Sequence, residues 1–66
     1  MKTTVKALKN GEFFTKRDIE FPGDMQVWIR GAYVRSEKKY ECTCFGDVNK
    51  WCYLKGTKEV FTGFTF

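Results

Sequence analysis

Histidine is absent from this chain of 66 residues, and proline occurs once. Without imidazole the chain lacks the commonest general base at neutral pH, the usual activator of a cysteine nucleophile, and a favoured zinc ligand. Helical periodicity is missing as well: nowhere do apolar residues recur at i, i+3, i+4 and i+7 for three turns. No apolar run approaches the ~20 residues of a membrane helix, and the opening MKTTVKALKNGEFF has no apolar core of a secretory signal. Repeats, low-complexity segments, phosphate-binding glycine loops and nucleophile elbows are absent. DVNKW lacks the glycine and glutamate of a calcium loop. A domain this small encloses little volume for a pocket that would tune a carboxylate or lysine. We therefore expect no catalytic residue, no metal, no cofactor, no small-molecule substrate and no membrane partner. Three cysteines, an odd number in a chain without a signal, predict a reducing, cytoplasmic setting.

What is present describes an ordered chain. It is 42% hydrophobic and 18% aromatic, and large rings give a short sequence the buried area it needs to fold. Twelve basic residues against eight acidic ones leave a net charge of +4, with no like-charge run longer than two. That balance is compatible with a solvated surface, and it supports an anionic partner only if the cations share one face.

Short runs rich in Val, Thr, Phe, Tyr and Trp alternate with turn residues, which predicts an all-β domain spanning 1–66. The expected runs are Thr3 to Leu8, Phe13 to Lys16, the long QVWIRGAYVR, Lys39 to Phe45, Trp51 to Leu54, and Glu59 to Phe66. Asn10-Gly11 suits a tight turn and Pro22-Gly23 a type II turn inside an irregular first loop. Gly31 is expected at a bulge, Ser36-Glu37-Lys38 at a turn, and GDVNK as a five-residue loop. The terminal VFTGFTF would aggregate as a free edge, so it should be paired on both sides. Pairing with the first strand would close a barrel. The L-x-x-G-x-F spacing of Leu8, Gly11 and Phe13, followed by a long loop and a meander, resembles the small SH3-like barrels of bacteria and phages. The resemblance implies a five- to six-stranded antiparallel SH3-like barrel and assigns no residue a role.

All three cysteines lie within YECTCFGDVNKWCYL. By strand alternation Tyr40, Cys42 and Cys44 share one face, which is the apolar one, while Lys39, Glu41, Thr43 and Phe45 share the other. A five-residue loop would set Phe45 opposite Trp51, Cys44 opposite Cys52, Thr43 opposite Tyr53 and Cys42 opposite Leu54. The cysteines are then reduced core thiols. A zinc site would need Asp47 as a fourth ligand, and a Cys44–Cys52 disulfide is compatible with the same register.

The same register turns Phe45, Trp51 and Tyr53 outward. Rings flanked by cations are how β-barrels hold single-stranded nucleic acid. Lys39 and Lys50 lie on or beside that face, and Arg30, Arg35, Lys38 and Lys55 are candidates for its border. A nucleic acid is the first expected partner. The alternative is a protein partner or a second copy of the chain on the same rings, as in a small adaptor or inhibitor. A third reading covers the rings with the TKRDIEFPGDM loop or with the chain's ends, and a one-residue slip would exchange the two faces. IRGAYVR approaches an RNA-recognition signature, but the first aromatic is missing and the chain is too short for that fold. Of the adjacent Trp28 and Ile29, one must face outward or under a loop.

Overall fold

Turn residues divide the chain, and strands form between them. The computed structural model describes residues 1–65, with six strands: β1 (Lys2–Thr4), β2 (Phe13–Thr15), β3 (Val27–Val34), β4 (Lys39–Cys44), β5 (Asp47–Leu54) and β6 (Glu59–Phe61). Single 3-10 turns occupy Val5–Ala7 and Asp24–Gln26. All strands join one antiparallel sheet in the order β1-β6-β2-β3-β4-β5. The protein is therefore all-β, with β2 to β5 forming a meander and β6 inserted between β1 and β2.

β6 is paired on both sides, which removes the edge hazard of its apolar sequence. Its pairing with β1 does not close a barrel, because β1 and β5 remain the ends of the sheet and no ladder joins them among the described residues. The sheet curls instead. Val5 and Val60 from one end meet Phe14, Trp28, Cys42 and Cys44 from the middle in a single core, with Tyr40, Cys52 and Leu54 packed against it. Gly56, in the β5–β6 connection, lies where the two ends approach. A Cβ there would stand 3.1 Å from both the Lys6 Cβ and the Tyr40 ring.

Gly31 marks a shift of register in β3, between Arg30 and Tyr33. A Cβ at Gly31 would meet the Glu41 carbonyl oxygen at 2.5 Å, so the bulge needs a residue without a side chain. Gly11 follows Asn10 with φ of 91°, as a tight turn of this kind demands.

Four expectations need correction. β1 is shorter than Thr3 to Leu8 because Val5–Ala7 turns, burying Val5. The last strand stops at Phe61, before Gly63 with φ of 78°; Phe66 lies outside the described residues. Pro22-Gly23 is not a type II turn, since Gly23 is extended at φ −78° and starts the 3-10 turn, donating to Gln26 Oε1 at 2.9 Å. GDVNK is not a loop. The chain reverses at Phe45-Gly46, and β5 already begins at Asp47.

Candidate functional site

The β4–β5 ribbon carries both the thiols and the rings. Observed partners are Tyr40 with Leu54, Glu41 with Tyr53, Cys42 with Cys52, and Thr43 with Trp51. This is two residues from the expected register. Side chains alternate with period two, so a two-residue slip changes partners without exchanging faces. Cys42 and Cys44 are buried, and Cys52 is half-buried against the core. Residues Val48 to Lys50 form the irregularity that absorbs the slip, between the pairs Thr43–Trp51 and Cys44–Asp47. The Asp47 carboxylate fixes its start by accepting the Asn49 N–H at 3.0 Å.

On the outer face, the ladder runs Phe13, Ile29, Thr43, Trp51 across four strands. Trp51 is 54% exposed and Phe45 41%. Neither is sealed by the first loop, whose 3-10 turn instead meets the Phe45-Gly46 reversal: Gly46 N–H donates to the Asp24 carbonyl at 3.1 Å. The rings pair edge to face, Trp51 with Tyr53 at 5.2 Å between centroids and Phe13 with Phe45 at 5.4 Å. Trp28 takes the inner place and Ile29 the outer one.

Where this face meets the β5–β6 connection, two clefts adjoin. One, of about 290 Å³, lies between Tyr53, Leu54, Lys39, Lys55 and Lys58. The other, of about 530 Å³, has Tyr33 and Tyr40 as its aromatic wall, with Lys6, Lys38, Lys39 and Lys55 around it. The two tyrosines are cross-strand partners, edge to face at 5.1 Å. Behind Tyr40 the Arg30 guanidinium stacks at 4.1 Å, its buried Nε without a hydrogen-bond partner. Lys39 and Lys55 line both clefts and join them into one track.

Charge is concentrated there. The track holds five lysines and one carboxylate, Glu37. The remaining seven basic and seven acidic residues cancel, so the track carries the whole formal excess of +4. None of the five lysines forms an ion pair; among the described residues the ion pair is Lys2 with Glu59 at 3.4 Å.

The residues expected at a binding face are thus distributed over four places. Phe45, Trp51 and Tyr53 share the outer face, and Lys39 stands at its end beside Tyr53. Lys50 borders a separate cleft with Lys16, Arg17 and Trp28. Arg30 is on the inner side against Tyr40, and Arg35 is exposed in the β3–β4 turn. Sequence reasoning missed Lys6, Lys58, Tyr33 and Tyr40 as lining residues. The tyrosine pair had a usable signal, for Tyr33 and Tyr40 are placed symmetrically about the turn 35–38. Lys6 and Lys58 had none, since the curl of the sheet brings them in.

Among the described residues no three Cys, Asp or Glu side chains come together as a metal site, and no helix is long and apolar enough to cross a membrane. Compared with known proteins, the chain matches no family model, no curated protein and no solved structure.

Proposed function

We propose that the protein is a non-enzymatic binding module for nucleic acid, built on an SH3-like curled sheet, and that the strand follows the lysine track between the two ring pairs. The SH3-like reading rests on the β2–β5 meander wrapped around one core. The observation that carries the function is the placement of the entire charge excess between Trp51–Tyr53 and Tyr33–Tyr40. Ammonium groups on flexible stems neutralise phosphates, and exposed rings offer faces to unpaired bases at about 1–3 kcal/mol each. The test is quenching of Trp51 fluorescence by a short single-stranded oligonucleotide at low and high salt. Binding at low salt that weakens steeply as salt rises supports the proposal. No response at low salt rejects it.

A second reading has its own support. β5 is an edge strand of eight residues, and Val48 and Trp51 on it are exposed. A protein partner or a second copy could add a strand there, burying the rings. Such an association tolerates salt.

A further inference from the structure

Cys42 and Cys52 face each other directly across β4 and β5, and both belong to the core cluster or pack against it. Opposed residues of an antiparallel ladder have Cα atoms ~4.5–5.5 Å apart, within the span a disulfide accepts. The two thiols differ in surroundings. Cys42 is fully buried, whereas Cys52 is half-buried and accepts a hydrogen bond from the Lys16 ammonium at 3.5 Å. That ammonium is itself held over the Trp28 ring, 3.9 Å from its centroid, so its position is defined rather than diffuse. Cys44 has neither feature. It is buried, its thiol donates to the Met25 carbonyl at 3.5 Å, and Asp47 stands opposite it.

We infer that Cys52 is a modification site for low-molecular-weight disulfides, with Cys42 as the resolving thiol that converts the adduct into a Cys42–Cys52 bridge. In the first step Cys52 gives its proton to solvent, and its sulfur attacks one sulfur of a disulfide R–S–S–R and expels a thiolate R–S⁻, which takes up a proton from solvent. Positive charge from Lys16 stands where that transition state carries negative charge. In the second step Cys42 gives its proton to the departing thiolate and attacks the Cys52 sulfur, releasing the second R–S group as a thiol. Two protein thiols are oxidised and one small disulfide is reduced to two thiols. Burial pushes the Cys42 thiol up to about 11, with further repulsion from Cys52, so Cys42 starts protonated and is the second to react, never the first. This inference is independent of the proposed nucleic-acid interface.

The experiment treats the reduced, folded chain with glutathione disulfide and follows intact mass and peptide maps. The expected product is about 2 Da lighter than the reduced chain, joins Cys42 to Cys52, and leaves Cys44 free to alkylation after unfolding. Lys16→Met should slow the first step by about threefold without changing the product. Cys42→Ser should stop the sequence at a mixed disulfide on Cys52. Should that variant not fold, the peptide map and the Lys16→Met rate still decide. A bridge through Cys44, a mixed disulfide that persists in the native sequence, or reaction of all three thiols together at the rate of unfolding would each overturn the inference.

Discussion

Lys55→Gln separates a binding track from a merely basic protein. Lys55 follows β5, lines both clefts and has an exposed side chain, so replacing its ammonium by an amide leaves the core untouched. If all five lysines of the track neutralise phosphates of a single strand, log K falls with log salt at a slope of about −3.5, which is about a hundredfold between 50 and 200 mM. Removing one contact should lower the magnitude of that slope by about 0.7. Affinity should then fall about eightfold at 50 mM but only about threefold at 200 mM, the contact being taken as counterion release alone. Lys9→Gln removes the same charge from an exposed position outside both clefts and should leave the slope unchanged. Fluorescence or anisotropy titrations at four salt concentrations give the slopes. Equal effects of the two substitutions would refute the track, because the chain would then be acting through net charge.

Trp51→Ala should weaken the same oligonucleotide by about 5- to 150-fold, the equivalent of one lost stacking contact. Its unfolding free energy should change by less than about 1 kcal/mol, since the exposed ring contributes mainly its cross-strand and edge-to-face contacts. Gly31→Ala places a Cβ 2.5 Å from a backbone oxygen at a residue without positive φ, so its cost is steric. Overpacking of ~1–3 kcal/mol should lower the melting temperature by about 5–20 °C in calorimetry; an unchanged melting temperature would show that the β3–β4 bulge yields freely. The Cys42 thiol is raised from 9.0 to about 11 by burial first and by Cys52 second. In that window the unfolded chain has released the proton that the folded one retains. Stability is therefore fully present below pH 9 and declines by about 2–3 kcal/mol as pH rises to 11. Urea unfolding of the native chain and of Cys42→Ala over this range should differ in that slope, and parallel curves would contradict it.

Period-two alternation explains why the faces of β4 and β5 were legible although their register was not. Tyr40, Cys42 and Cys44 carry no charge and alternate with Lys39 and Glu41, so the apolar side is unambiguous before any partner is known. The register depends on where the chain reverses, and local turn chemistry favoured GDVNK. What decides it is tertiary. Gly46 docks on Asp24 and Met25, so close that a Cβ would lie 2.8 Å from the Met25 sulfur, and the reversal is drawn to Phe45-Gly46. The same docking accounts for Pro22-Gly23. The segment is held as an extended entry to the Asp24–Gln26 turn, a context that no dipeptide signal contains.

The basic track shows a different kind of illegibility. Lys38, Lys39 and Tyr40 are neighbours in sequence, but Lys6 precedes them by more than thirty residues and Lys58 follows by almost twenty. Along the chain these cations fall in three separate stretches, at 6, 38–39 and 55–58, and no single stretch contains all five. They converge because β6 inserts beside β1 and carries the 55–58 connection past Lys6, where two backbone bonds fix it: Val5 N–H to the Lys58 carbonyl at 3.1 Å and Lys6 N–H to the Gly56 carbonyl at 3.0 Å. The placement of charge is thus a consequence of strand order. A change that loosened β1 from this connection would disperse the lysines without altering the composition of the chain. Gly56→Val supplies that change, because its side chain would push against Lys6 and Tyr40 where only 3.1 Å is open. Oligonucleotide affinity should then fall by more than Lys55→Gln alone causes, with every lysine still present. Retained affinity in a folded Gly56→Val protein would mean that the cations act without their common geometry.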